Sequence, residues 1–149
     1  GRQKSYEVQE QTRSIVLLSA EVSSWPAYEV SRQPGWARYS ELAVPLMNQI
    51  LAQWYPPGGT IIRAMAAKLM AGGRIVPHRD AHPSFAAGHR IHVPLATNSR
   101  VRFMIDGRVC PMEIGRAYEI NNQKVHSVMN KGDTDRINFI FDYVPPKAS

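Results

Sequence analysis

Apolar and polar positions divide this chain into a helix-bearing first third and a strand-rich remainder. Residues 13–19 (RSIVLLS) are β-branched and apolar, which predicts a strand. Residues 21–40 mix Pro26, Pro34 and Gly35 with Trp25, Trp36 and polar side chains, and read as a surface loop. Leu42, Leu46, Met47, Ile50, Leu51 and Trp54 then recur close to the i, i+3, i+4, i+7 spacing of an amphipathic helix over residues 39–54. Ser40 is its expected N-cap, Pro45 falls in its first turns, and Pro56-Pro57-Gly58-Gly59 ends it.

From residue 60 the pattern shortens to strands: 60–70, 74–80, 89–97, 101–105, 108–114, 117–120, 125–129 and 136–144. Val101, Phe103 and Ile105 alternate with Arg102 and Met104, and Asp106-Gly107 predicts a two-residue type I′ hairpin turn. Short strands at regular spacing predict an antiparallel sandwich or small barrel of jelly-roll type, whose open mouth can seat a ligand. The expected class is mainly β and cupin-like, with the N-terminal segment (1–59) packed on a core spanning 60–145.

Composition narrows the setting. At 149 residues, with 44% apolar and 20% charged residues, one globular domain is expected and wholesale disorder is excluded. No apolar run approaches the 18 residues a membrane-spanning helix needs, and the first residues lack a secretory pattern. Gly1 in place of Met leaves a processed start open. Cys110 is the lone cysteine, so an intrachain disulfide is impossible and a reducing, cytoplasmic setting is the expectation. The net charge of +6 invites a nucleic-acid reading, but the 18 cationic residues are scattered and no two are adjacent. A mildly cationic surface suited to acidic substrates or partners is the simpler reading.

Candidate chemistry gathers at three places. His78 and Asp80 stand at i and i+2 near a predicted strand end, so both can reach one metal ion from the same face. His126, on a later strand, is the natural third ligand. Two imidazoles and one carboxylate form the facial set of non-haem Fe(II) oxygenases, which leaves three positions for cosubstrate and O₂. A closed zinc site would want four ligands, usually with thiolate, and one cysteine cannot supply that. A His-x-Asp spacing is a weak motif alone. Its weight comes from His126 together with Arg136, ten residues on, which can grip a dicarboxylate's far carboxylate bidentately.

Arg90 and His92 share a strand face, and two readings stay open. Either they face the metal and hold an anionic ligand, or Arg90 lies in solvent while His89 and Ile91 point inward. Asn121-Asn122 reads as a turn, with Asn122 alternatively a polar wall of the site. Trp25, Tyr28 and Trp36 are packing anchors or a substrate lid. Arg63, Arg74 and Arg79 are exposed cations or selectors of an acidic substrate. Met65, Met70 and Met104 are expected in the core, and Cys110 as a small apolar strand residue.

The ordered segments GGRIVPHRD, HRIHVPL, EINNxxxHSV and RINFIFD together resemble the aspartyl/asparaginyl β-hydroxylase family. Its members are Fe(II)- and 2-oxoglutarate-dependent oxygenases with a double-stranded β-helix. The resemblance covers residues 60–144 well and the N-terminal third more loosely. It implies that His78 and His126 bind iron, and that Asp80 completes the triad where some relatives carry a non-ligating residue. It further implies that Arg90 and His92 hold the cosubstrate's 1-carboxylate end and that Arg136 clamps the far carboxylate. Ala67, beside Lys68, departs from the pattern, because some relatives have a hydroxyl residue there to assist the clamp. The implied activity is hydroxylation of a carbon, with the β-carbon of Asp or Asn in a peptide as one option, releasing succinate and CO₂. The substrate class stays open among peptides, proteins and small molecules, with Arg63, Asn122 and Trp36 as candidate contacts. Two alternatives stand beside this: a cupin-like metal enzyme that does not use 2-oxoglutarate, and a non-catalytic binding module on the same fold.

Overall fold

A computed structural model describes residues 11–147. Its elements in chain order are β1 (Thr12–Glu21), β2 (Glu29–Arg32), α1 (Pro34–Trp54), β3 (Thr60–Leu69), β4 (Arg74–His78) and α2 (Pro83–Ala87). They continue with β5 (His89–Ala96), β6 (Val101–Ile105), β7 (Arg108–Val109), β8 (Tyr118–Ile120), β9 (His126–Asn130) and β10 (Arg136–Val144). Two antiparallel sheets form, a six-stranded one in the order β2-β1-β3-β10-β5-β8 and a four-stranded one in the order β4-β9-β6-β7. This is the expected mainly β, jelly-roll architecture. Asp106 and Gly107 both take positive φ, 51° and 76°, as the type I′ turn between β6 and β7 demands.

β10 lies at the centre of the larger sheet, between β3 and β5, and its side chains alternate between two environments. Phe139, Phe141 and Tyr143 join Leu17, Leu18, Ile91 and Val93 in a cluster closed by Ala43, Met47 and Ile50 of α1. Arg136, Asn138 and Asp142 have the opposite parity. Leu69, Phe103, Ile120 and Val128, drawn from both sheets, make the interior cluster. The helix therefore covers one face of the large sheet, and the other face looks into the barrel.

Several local expectations are revised. The segment 21–40 is not loop throughout: it contains β2, and α1 begins at Pro34 rather than near Ser40. Gln33 occupies the N-cap without a side-chain bond, and Pro34 takes the first helical position, where its missing N–H costs nothing. Gly35 is required by close approach, since a Cβ there would lie 2.6 Å from the Val16 carbonyl oxygen on β1. The strand expected over 108–114 stops at Val109 because Pro111 cannot donate to a ladder, although Cys110 N–H still reaches Phe103 O at 2.7 Å. Met65, Met70 and Met104 are only partly buried, whereas Met47 is fully enclosed. Among the described residues no helix is long and apolar enough to cross a membrane.

Candidate metal centre

His78 ends β4 and His126 begins β9, and the two residues are direct cross-strand partners. Asp80 lies two residues past β4 and is tied back by its backbone. Its N–H donates to Asn122 O at 3.1 Å, and its carbonyl accepts from Gln123 Nε2 at 3.0 Å. Ligand atoms of His78, Asp80 and His126 all lie within 4.8 Å of one another. Nε2 of His78 is 3.6 Å from Asp80 Oδ1, and Nε2 of His126 is 3.8 Å from Asp80 Oδ2. Donors on adjacent positions of one ion, each about 2.1 Å from it, stand about 3 Å apart, so small side-chain shifts close the set.

Two further features fit a cation. The Nδ1 of each imidazole lies within hydrogen-bond distance of the carbonyl two residues earlier, Val76 O at 2.8 Å and Lys124 O at 2.9 Å. Donation there fixes the ring and leaves Nε2 free for a metal. Asp80 Oδ2 is buried and accepts no hydrogen bond among the described residues. A buried carboxylate oxygen without a partner is costly unless something cationic meets it. The His126 side chain is only 7% exposed and that of His78 41%, so the centre opens on the His78 side.

A second wall lies on β5 and β10. Arg90 pairs with Asp142 in register and points inward; Nε donates to Oδ1 at 2.8 Å and Nη2 to Oδ2 at 2.9 Å. Its remaining Nη1 is 3.6 Å from Asp80 Oδ2. Burial alone would lower this guanidinium's pKa, but the hydrogen bond and charge of Asp142, with the charge of Asp80, raise it overall. His92 is fully buried, and desolvation with the nearby Arg90, Arg136 and His126 holds its pKa well below the usual range, so it stays neutral. Arg136 is 4% exposed, its Nε has no hydrogen-bond partner among the described residues, and desolvation pushes its pKa down to about 10. Asn138 joins the two: oriented to satisfy its neighbours, its Oδ1 accepts from Arg136 Nη1 at 3.1 Å and from His92 Nδ1 at 3.0 Å. A buried, under-partnered guanidinium in a neutral pocket is an anion site in wait.

The sequence matches the aspartyl/asparaginyl beta-hydroxylase family over residues 2–146, nearly the whole chain. The chain belongs to the aspartyl/asparaginyl β-hydroxylase family. Among solved structures, this family member is similar to an oxidoreductase of the 2OG-Fe(II) oxygenase family from Burkholderia pseudomallei. The identity is 12% over 89% of this chain and 67% of that one, with a TM-score of 0.66, which establishes a shared fold. Weaker likenesses include a predicted oxalate decarboxylase from Thermotoga maritima, 17% identical over 69% of this chain and 75% of that one, with a TM-score of 0.46. An RmlC-like cupin from Desulfovibrio desulfuricans is 17% identical over 60% of this chain and 83% of that one, with a TM-score of 0.42. Among curated proteins none matches the sequence.

The hydroxylase-family fold distributes the remaining expected residues unevenly. Arg90 faces inward with Nε and Nη2 both on Asp142, which leaves Nη1 as its one donor toward the ligand set. Arg63 likewise bonds Asp142 Oδ2 at 3.2 Å and Ser84 Oγ at 2.7 Å, and stacks 4.2 Å over Phe85, which leaves little of it for a substrate. Asn122 is buried in the turn that braces Asp80, so the turn reading is the better one. Trp36 is on α1 under the Arg32 guanidinium at 4.8 Å, lining a groove with Leu18, Met47 and Leu51 that no triad residue reaches. Trp25 stacks with Tyr28 at 5.8 Å and meets His82 edge-on at 6.1 Å, two residues past Asp80, so this loop does flank the ligand segment.

Sequence reasoning missed Asp142 and Asn138. A signal was present: both share the parity of Arg136 on β10, and a carboxylate inside the apolar run RINFIFDYV needs a buried cation.

Proposed function

We propose that this protein is an Fe(II)- and 2-oxoglutarate-dependent hydroxylase of a carbon centre. The observation that carries the reading is that two buried polar atoms, Asp80 Oδ2 and Arg136 Nε, have no hydrogen-bond partner among the described residues. The first asks for a cation and the second for an anion, and a ferrous ion with a dicarboxylate answers both.

His78, Asp80 and His126 would hold the iron, which supplies the activation of O₂ when bound. The chain's own residues do the rest. Arg136 holds the far carboxylate in a pocket where charge-assisted bonds are strong because water is excluded. Asn138 orients that guanidinium and fills the role left by Ala67, its cross-strand partner on β3. His92 faces the cosubstrate's other end. Its Nδ1–H donates to Asn138 Oδ1 at 3.0 Å, which fixes the orientation of the ring. The loop bearing Trp25 and Tyr28 flanks the mouth and bounds the substrate. The β-carbon of an Asp or Asn side chain in a peptide is the substrate class suggested by the family.

The test is succinate formation from 2-oxoglutarate with Fe(II) and ascorbate under air, compared with His126→Ala. Turnover by the parent and none by the variant is expected. Metal binding without any 2-oxoglutarate consumption, coupled or uncoupled, would refute the cosubstrate and favour a cupin-type metal enzyme.

A further inference from the structure

Among the described residues Asp80 Oδ2 accepts no hydrogen bond, although Nη1 of Arg90 lies only 3.6 Å away. A guanidinium so near a buried carboxylate ordinarily closes on it at about 2.8 Å, often with two bonds. Arg90 is held back because Nε and Nη2 are both committed to Asp142, at 2.8 and 2.9 Å. Asp142 is 3% exposed and is anchored from its other side by Arg63, which Ser84 Oγ fixes in turn. Phe85 of α2 lies under both guanidinium planes, 4.2 Å from Arg63 Cζ and 5.0 Å from Arg90 Cζ. Charge therefore alternates along the row Arg63, Asp142, Arg90, Asp80, and the row ends at the proposed ligand set.

We propose that Asp142 is a positioning residue for the metal centre: by pinning Arg90 with two hydrogen bonds, it keeps the guanidinium from capturing the Asp80 carboxylate. The inference rests on reading His78, Asp80 and His126 as metal ligands. With Asp142 neutralised, Arg90 is a buried cation short of an anion, and Asp80 is the nearest one. A carboxylate closed into that ion pair must be pulled out of it before a metal can use it, so the metal binds more weakly.

The experiment titrates the full chain with Co(II) and follows the visible spectrum, a readout independent of turnover. Asp142→Asn is expected to weaken Co(II) binding by about tenfold to 100-fold, as changes just behind metal ligands do. The double variant Arg90→Gln/Asp142→Asn, which removes the competing cation, is expected to regain most of that loss. Arg90→Lys and Arg90→Gln decide the matter if Asp142→Asn does not fold. An ammonium cannot make the two-pronged bond to Asp142 and is free to reach Asp80, so the lysine variant should bind Co(II) less well than the glutamine variant. A purely structural role for Arg90 predicts the reverse order and overturns the proposal, as does parental affinity in Asp142→Asn or no recovery in the double variant. Failure of the parent to bind Co(II), or equal binding by His126→Ala, would instead sink the metal-centre reading itself.

Discussion

Replacing Arg136 by methionine should make the ligand-free protein more stable while abolishing its response to 2-oxoglutarate. The guanidinium is buried, and desolvation pushes its pKa down to about 10, a charge penalty of about 3 kcal/mol. A cation with a lowered folded-state pKa destabilises the fold at every pH below that value, so the penalty is fully present at pH 7. Methionine fills similar volume without charge. It forfeits the bond from Nη1 to Asn138, worth about 1 kcal/mol, but Asn138 Oδ1 keeps His92 as a partner. The net gain is about 2 kcal/mol, in the range found when buried charges give way to apolar residues. For a chain of this length that raises the melting temperature by about 4–8 °C. With Mn(II) present, 2-oxoglutarate at 100 times its dissociation constant should stabilise the parent by about 2.7 kcal/mol and leave Arg136→Met unmoved. Differential scanning fluorimetry reads both effects. A variant that melts below the parent without ligand, or that still shifts with 2-oxoglutarate, would refute the reasoning.

Three other outcomes are expected. His126→Ala should lower Co(II) affinity by at least about 100-fold, measured by calorimetry, while the melting temperature of the metal-free protein changes little. Because His92 has a lowered pKa in the fold and a normal one when unfolded, the unfolded chain binds the extra proton as pH falls below about 6.5. Stability should therefore be lost on acidification from pH 7.5 to 5.5, and His92→Gln should show a shallower loss in the same melts. Gly35→Ala sets a helix-propensity gain of about 1 kcal/mol against a Cβ placed 2.6 Å from a backbone carbonyl that cannot swing aside. The clash should win, with a net cost of about 1–2 kcal/mol in urea unfolding.

Much of this architecture could be read in advance because β-strand periodicity and turn chemistry are local. The Asp106-Gly107 hairpin and the strands at 89–96, 101–105 and 136–144 follow from residues within a few positions of one another. The start of α1 was less legible: Pro34-Gly35 looks like a turn until β1 is seen lying against it, where only glycine lets the helix approach. α2 is five residues long, too short to show a period, and depends on the contact of His82 Nδ1 with Ser84 N–H at 3.0 Å. At the site, residue types pointed to the triad, Arg90 and Arg136, but not to the carboxylate with which Arg90 pairs. Strand parity leaves the facing of Arg90 open, and its partner Asp142 is 52 residues away, so only the pairing of β5 with β10 brings them together.

The alternation along β10 also separates two ways of failing. Phe139, Phe141 and Tyr143 face the helix, and Arg136, Asn138 and Asp142 face the barrel. Random substitutions on this strand should sort by even and odd position, one class lowering how much protein a cell accumulates and the other how well each molecule works. A single inserted or deleted codon there would exchange the two sets at once, so this stretch should tolerate exchange of residues far better than any change of length.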